Sequence, residues 1–210
     1  FRAEQKREFI RLPTDDLRGK TVGIVGMGGN GRMLARMLKP WDIKLVATDY
    51  FPVDPPAELD EIWPADRLDD LLGVSDIVLL TLPLNVDTHS LFDANRLNQM
   101  RSGALLINVA RGAVVVEDAL VGALESGQLA GAGLDVTEVE PLSPESLLWD
   151  DPKVMISPHV GAQSSRRVDD TTDFACVNLQ RYLSGELPYN RVDKVLGFPH
   201  PSVVWRADTK

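Results

Sequence analysis

Short apolar runs that alternate with helix-like segments constrain the fold of this chain more than any other feature of its sequence. The runs are rich in Val, Ile and Leu without polar alternation, which is typical of strands buried on both faces. They span residues 21–25, 44–48, 77–82, 104–109, 132–136 and 154–157. Candidate helices lie between them, at residues 30–38, 68–72, 93–99 and 117–126. This alternation predicts an α/β fold, a doubly wound parallel sheet with helices on both faces.

The two ends of the chain follow a different pattern. Residues 4–9 are helix-like, and residues 163–183 carry apolar side chains at a helical period before Gly185. Cys176 lies beside that apolar stripe, and we interpret it as an inert, packed thiol. After Gly185 the prolines indicate irregular structure. We therefore divide the chain into a helix or linker, a compact α/β domain, and a C-terminal helix and tail, at residues 1–19, 20–162 and 163–210.

Composition excludes several classes of partner. The chain of 210 residues has 22 Lys and Arg against 31 Asp and Glu, a net charge of −9, which argues against nucleic acid and anionic membranes. No apolar run approaches the roughly 18 residues that a membrane span needs, so we expect neither a membrane span nor a signal peptide. The single cysteine excludes an intramolecular disulfide framework and indicates a reducing, cytoplasmic compartment.

A glycine-rich turn follows the first predicted strand and opens the first predicted helix. Its pattern is G-x-G-x-x-G, with glycines at Gly26, Gly28 and Gly31 and with Gly29 and Asn30 between them. Glycine clusters often form only tight turns, but a preceding strand and a following helix are what dinucleotide binding requires. The first glycine would make the turn, the second would let a pyrophosphate approach the backbone, and the third would let helix and strand pack closely. The helix N-terminus would attract the anion.

Asp49 ends the next predicted strand, about where a dinucleotide site carries its ribose-binding acid. A carboxylate there accepts hydrogen bonds from ribose hydroxyls and repels a 2′-phosphate, so the sequence predicts NAD rather than NADP. Alternatively, Asp49 only starts a turn before Pro52. Sites for FAD and S-adenosylmethionine share parts of this pattern, so these cofactors remain alternatives at this point.

Three candidate catalytic residues follow later strands, at the sheet edge where open α/β sheets bind their ligands. Arg111 suits a planar carboxylate, which it can hold through two parallel hydrogen bonds. His159 suits proton transfer near neutral pH, and Glu140 could support its protonated form. Taken singly, each has a structural alternative in a surface turn or a solvated loop. His89 and His200 do not follow strands in this way and are interpreted as ordinary loop residues.

Five segments in order resemble the D-isomer-specific 2-hydroxyacid dehydrogenase family. They include the glycine-rich turn, a Thr-Leu-Pro-Leu after a strand, an Asn-Val-Ala-Arg-Gly, a Gly-Leu-Asp-Val that leads to Glu-Pro, and a Ser-Pro-His. They lie at residues 17–26, 81–84, 107–112, 133–141 and 157–162. The sequence departs from the family at Thr137, where members often carry Phe, and at Val116, where they often carry Asp.

The resemblance implies roles for individual residues. Arg111 would bind the substrate, His159 would be the acid/base, and Glu140 would support the histidine. Contacts to the nicotinamide half of NAD would come from residues at the ends of the later strands, namely Thr81, Pro83, Val109, Asp135 and Gly161. No metal is expected.

The same resemblance implies an activity and a missing part. Family members also carry an N-terminal substrate domain, and the two ends of this chain would be segments that dock on that second domain. The expected function is hydride transfer between NAD and a small 2-hydroxy or 2-keto acid of the glyoxylate, hydroxypyruvate or 3-phosphoglycerate type, in a homodimer. The alternative is a non-catalytic NAD(H)-binding or corepressor-like dimerisation module.

Overall fold

A computed structural model describes residues 15–51 and 55–201. Within these residues the strands are β1 (Thr21–Val25), β2 (Lys44–Asp49), β3 (Glu61–Pro64), β4 (Ile77–Leu80), β5 (Ala104–Asn108), β6 (Leu129–Leu134) and β7 (Val154–Ile156). The α-helices are α1 (Gly29–Leu38), α2 (Leu68–Val74), α3 (Ala94–Gln99), α4 (Glu117–Glu125) and α5 (Arg167–Leu183). Short 3₁₀ turns occupy Lys39–Trp41, Ala65–Arg67, Gly112–Val114 and Leu147–Trp149.

All seven strands form one parallel sheet in the order β3-β2-β1-β4-β5-β6-β7. The chain builds outward from β1 to one edge and then returns to add β4 on the other side of β1. The strand order therefore reverses at the carboxyl end of β1, which is where such sheets open a crevice for ligands. The predicted doubly wound fold is confirmed.

The buried side chains form two clusters, as a sheet covered on both faces requires. One contains Leu71 of α2, Phe92, Leu106 of β5 and Leu124 of α4 among its buried members. The second is smaller and joins β1 and β2 to α1, with Ala35 at the contact. Leucine side chains with no exposed surface in both clusters hold the strands in register, and the strand ends are thereby fixed relative to each other.

Two strands differ most from the sequence expectation, and the limits of the others shift by at most two residues. The sequence did not predict β3, because its four residues are exposed or only half-buried at the edge of the sheet and include Pro64. The sequence also predicted a strand at residues 132–136, whereas the corresponding strand β6 begins at Leu129 and ends at Leu134. The start of β6 has no apolar run because it contains glycine. A Cβ at Gly131 would lie 2.8 Å from the Lys153 carbonyl oxygen, so the close approach of the segment that leads into β7 requires a residue without a side chain.

Helix α5 confirms the helix expected within residues 163–183, but it has no buried residue. The expectation of a packed Cys176 is wrong, because the thiol lies exposed on this helix. The helix predicted at residues 4–9 lies outside the described residues, as does the end of the tail from residue 202. Across the described ranges, no helix combines the length and apolar character needed to cross a membrane.

Candidate active site

The three glycines of the first loop have three different surroundings. Gly26 has a φ of +97°, a left-handed value that favours glycine, and an added Cβ would lie 3.0 Å from the Leu82 backbone. A Cβ at Gly31 would lie only 2.1 Å from the Gly26 carbonyl oxygen. At Gly28, by contrast, no atom lies within 4 Å of the added Cβ. One glycine makes the turn, one permits tight packing, and one leaves the backbone open to a ligand.

The open glycine also begins α1. Gly28 is the N-cap residue, and no side chain caps the helix there. Gly29 and Asn30 occupy the first turn, and Gly29 has open space around its Cβ position as well. Amide groups at an uncapped helix N-terminus, next to an open backbone, suit a phosphate or pyrophosphate.

Asp49 connects the end of β2 to this loop. Its Oδ2 accepts a hydrogen bond of 2.6 Å from the Met27 amide, inside the glycine-rich turn. Its Oδ1 accepts one of 2.9 Å from the Phe51 amide, which forms the turn after the strand. Asp49 therefore does start a turn, and it also holds a carboxylate beside the glycine-rich loop, where ribose hydroxyls would be recognised.

Three of the residues expected near the nicotinamide lie just after the ends of β4 and β5. The Thr81 hydroxyl donates 2.6 Å to the Gly26 carbonyl oxygen, and so it fixes the glycine-rich turn from the neighbouring strand. The Pro83 carbonyl oxygen accepts a hydrogen bond from the Thr88 hydroxyl at 2.7 Å. The Val109 amide donates to the Leu80 carbonyl oxygen at 3.3 Å, directly beside Thr81.

Asp135 organises the turn that follows β7. Its carboxylate accepts hydrogen bonds from the Ser157 hydroxyl at 2.6 Å, the Val160 amide at 2.9 Å and the Gly161 amide at 2.8 Å. Burial alone would raise the pKa of Asp135, but these three hydrogen bonds and the nearby His159 outweigh it and hold the pKa below its usual range. Glycine at position 161 leaves room for this carboxylate, because a Cβ there would lie 2.8 Å from its Oδ2.

His159 and Glu140 form a direct pair. Nδ1 of the imidazole lies 2.8 Å from Oε2 of the carboxylate, and about half of each side chain is exposed. The other carboxylate oxygen accepts from the Thr137 amide at 3.2 Å. His159 has a φ of +52°, and its amide donates 2.8 Å to the Asp135 carbonyl oxygen. An ionised carboxylate at Nδ1 holds the proton there, which leaves Nε2 to exchange a proton with a ligand.

Arg111 begins the 3₁₀ turn after β5, and its guanidinium donates 2.7 Å to the Ala110 carbonyl oxygen. Sequence reasoning missed Asn108, which is only 1% exposed and shapes this turn. The Asn108 amide nitrogen donates 3.1 Å to the Arg111 carbonyl oxygen, and its Oδ1 accepts 3.0 Å from the Ala110 amide. An asparagine that ends an otherwise apolar strand is the signal that could have identified it. Ser157, which orients Asp135, was missed in the same way.

The register of the sheet brings these loops together. Leu134 of β6 pairs with Asn108 on one side and with Ile156 on the other. The loops that carry Arg111, Glu140 and His159 therefore leave the same edge of three adjacent strands. The loops that carry Arg111 and Glu140 are also in contact, because a Cβ at Gly112 would lie 1.6 Å from the Thr137 carbonyl oxygen. No cluster of three His, Cys, Asp or Glu residues within 15–51 and 55–201 could hold a metal ion.

Comparison with known proteins supports the same interpretation. The model of a family described as "D-isomer specific 2-hydroxyacid dehydrogenase, NAD binding domain" matches residues 2–161. The chain belongs to this family. It is 38% identical over 186 residues to a glyoxylate reductase of Thermofilum pendens, covering 87% of this chain and 54% of that protein. It is 34% identical to a glycerate dehydrogenase of Methylorubrum extorquens, over 88% of this chain and 56% of that one.

Solved structures of this family share the fold. An NADPH-dependent glyoxylate/hydroxypyruvate reductase from Sinorhizobium meliloti, in complex with NADP and sulfate, superposes with a TM-score of 0.85 at 35% identity. The match covers 94% of this chain and 63% of that one. The chain spans about half the length of the curated relatives it matches, so these comparisons concern one part of each relative.

Proposed function

We propose that this chain is the coenzyme-binding part of an enzyme that transfers hydride between NAD(H) and a small 2-hydroxy or 2-keto acid. The observation that carries the proposal is the His159–Glu140 pair, at 2.8 Å, on the sheet edge that also carries the glycine-rich loop. An accessible imidazole held by a carboxylate is what proton transfer to or from a substrate oxygen requires.

The loop geometry fits the coenzyme that this function needs. Gly28 leaves the backbone open for the pyrophosphate, the N-terminus of α1 faces it, and Asp49 would accept the ribose hydroxyls. Thr81, Pro83, Val109, Asp135 and Gly161 would border the nicotinamide. The bound coenzyme supplies or accepts a hydride at the substrate carbon. The Asp49 carboxylate would disfavour the additional phosphate of NADP, although the S. meliloti relative was solved with NADP.

Each catalytic role follows from the chemistry of the side chain. The Arg111 guanidinium would bind the substrate carboxylate and so orient the neighbouring carbonyl group. During reduction, His159 would donate the Nε2 proton to the carbonyl oxygen as that oxygen becomes a hydroxyl, and it would take the proton back during oxidation. Glu140 would hold the ring and stabilise the imidazolium.

The substrate, the assembly and the domain limits complete the proposal. We propose a glyoxylate- or hydroxypyruvate-type 2-keto acid, since relatives are named glyoxylate reductase and glycerate dehydrogenase. We propose a homodimer in a reducing cytoplasm, with residues 20–162 as the coenzyme domain and residues 1–19 and 163–210 as its flanks. The exposed Met155 on the edge strand β7, together with the exposed Leu147 and Trp149, supports an apolar contact with a second copy. Sedimentation velocity would test the dimer.

The experiment that tests the function compares the intact protein with its His159→Gln variant. We expect NADH oxidation with glyoxylate or hydroxypyruvate in the wild type. The variant should lose about 10²- to 10⁴-fold in kcat, because the proton donor is missing, while the Kd for NADH changes less than about twofold. His89→Gln is the matched control, since His89 bonds the Ser90 hydroxyl and lies outside the proposed site. NADH binding without turnover in the wild type would instead favour the non-catalytic module.

A further inference from the structure

The residues after α5 fold into a compact loop, which we call the C-terminal loop (residues 192–201). A bridge between Val192 and Pro199 closes it, and the Gly197 amide donates 2.8 Å to the Asp193 carbonyl oxygen. The Asp193 carboxylate accepts the amides of Val195 and Leu196 at 2.8 and 3.1 Å. These two amides hold the pKa of Asp193 below its usual range. The loop is therefore ordered by its own hydrogen bonds.

The C-terminal loop is attached to the segment that follows β4. The side-chain amide of Asn85 donates 2.8 Å to the Leu196 carbonyl oxygen. A Cβ at Gly197 would lie 3.5 Å from the Asn85 Cβ, so the two backbones approach closely. Asn85 comes soon after Thr81 and Pro83, which border the proposed coenzyme site.

A second attachment joins the loop to the segment that follows β2. The Phe198 ring lies 5.8 Å from the Tyr50 ring and 5.7 Å from the Phe51 ring, both edge-on. The His200 ring lies 4.5 Å from Phe51. Tyr50 directly follows Asp49, the proposed ribose-binding acid. These rings form an aromatic cluster next to that carboxylate, and Tyr50 is still 56% exposed.

The two attachments lie on opposite sides of β1. Because β1 pairs with β2 on one side and with β4 on the other, the segments after β2 and β4 flank the glycine-rich loop. A segment that contacts both lies at the carboxyl edge of the sheet. The C-terminal loop therefore joins the two segments that flank the crevice in which the dinucleotide would lie.

We propose that the C-terminal loop is part of the coenzyme site and that Phe198, with Tyr50 and Phe51, forms an aromatic wall for the adenosine half. The inference rests on the proposed function, because it takes the ligand of the crevice to be NAD(H). Adenosine is the half that Asp49 places beside these rings, and a purine base stacks well on aromatic side chains. Phe198 is then a binding residue contributed from far along the chain.

The test measures ligand dissociation constants in the intact protein for NADH, ADP-ribose and nicotinamide mononucleotide. Phe198→Ala should raise the Kd for NADH and for ADP-ribose by about 5- to 50-fold, the range expected for loss of one base–aromatic contact. The Kd for nicotinamide mononucleotide, which lacks the adenosine half, should change less than twofold. Val195→Ala is the matched control, since this side chain of the same loop is 88% exposed. Phe198→Leu, which keeps apolar bulk, should give an intermediate loss.

Proteolysis of the wild type provides a second readout that needs no variant. Trypsin cleavage after Lys194, an exposed residue of the loop, should slow in the presence of NADH or ADP-ribose but not of nicotinamide mononucleotide. If the wild type binds no dinucleotide, the proposed function fails. If it binds NADH while Phe198→Ala and Phe198→Leu bind ADP-ribose as the wild type does, and cleavage is unprotected, the loop is only structural and the inference is overturned.

Discussion

Asp135 shows how one side chain can fix the turn that carries His159. Its carboxylate receives the Ser157 hydroxyl and the amides of Val160 and Gly161, and its own carbonyl oxygen receives the His159 amide. Asp135→Asn would place an NH₂ group against at least one of these donors. We expect it to lower the free energy of unfolding by about 1–3 kcal/mol at pH 7, as measured by urea denaturation. Asp173→Asn, an exposed change on α5, should cost far less.

The same carboxylate predicts a dependence on pH. Because hydrogen bonds hold the native pKa of Asp135 below its ordinary value of about 3.9, the carboxylate stabilises the fold at every pH well above 4. That stabilisation is lost as the pH falls through the lowered native pKa. The difference in unfolding free energy between wild type and Asp135→Asn should therefore be constant from pH 6 to 8 and shrink below about pH 4. A difference that grows on acidification would contradict this account.

The glycine-rich loop predicts that two similar substitutions have separable effects. Gly28→Ala adds a methyl group to open space, so it should leave the unfolding free energy within about 0.5 kcal/mol of wild type while weakening NADH binding about tenfold or more. Gly31→Ala would place its methyl 2.1 Å from the Gly26 carbonyl oxygen, and it should destabilise the protein by about 1–3 kcal/mol. Equal losses of stability in the two variants would argue against the separate roles.

At the scale of elements, contact between loops holds the site together. Gly112 lies against the Thr137 carbonyl oxygen, so the loops that carry Arg111 and Glu140 can approach only without a side chain between them. Gly112→Ala should cost about 1–3 kcal/mol or more in urea denaturation, because the obstacle is backbone and cannot rotate away. Gly122→Ala in α4 is the matched control. No atom lies within 4 Å of its Cβ position, so it should instead stabilise the helix by about 0.5–1 kcal/mol.

How much of the fold the sequence predicts depends on where each element buries its side chains. Strand β1 is buried along nearly its whole length, and the apolar run at residues 21–25 matched Thr21–Val25. Edge strand β3 has no such run. It pairs with β2 on one side only, and none of its four residues is fully buried. Strand β6 is made of small residues because β7 approaches closely, and its limits shifted accordingly. Apolar runs identify strands with two buried faces. They miss strands at the edge of the sheet and strands whose small residues allow a neighbouring backbone to approach closely.

The candidate site was predictable only where several residues form a motif with a fixed spacing relative to strands and helices. The spacing of the glycines and Asp49 indicated a crevice, and the structure places Asp49 in contact with that loop. By contrast, Asn108 and Ser157 act through bonds to the Arg111 turn and to Asp135, and nothing in their spacing reveals a partner. The same holds for Phe198, which is far from Tyr50 in the sequence and meets it only because the tail returns to the sheet edge.

At the scale of the whole molecule, the coenzyme should act as a stabilising element of the fold. Its proposed site joins the ends of β1, β2 and β4 and the C-terminal loop, so a ligand there binds only the folded state. NADH at about 100 times its Kd should add about 2.7 kcal/mol to the unfolding free energy, or roughly 5–10 °C to the Tm of a chain this size. Thermal unfolding measured with NADH and with NADPH at the same concentration gives the Tm increase that each coenzyme produces.

The comparison between the two coenzymes depends on a single carboxylate in a protein of net charge −9. NADPH brings a further phosphate next to Asp49, whose carboxylate only accepts hydrogen bonds and so can donate none to the phosphate, and the two negative charges repel each other. We expect the Tm increase with NADPH to be smaller than with NADH. Asp49→Asn removes the charge but keeps an oxygen acceptor, so it should narrow the difference between the two coenzymes. An equal or larger response to NADPH in the wild type would mean that this carboxylate does not set the preference.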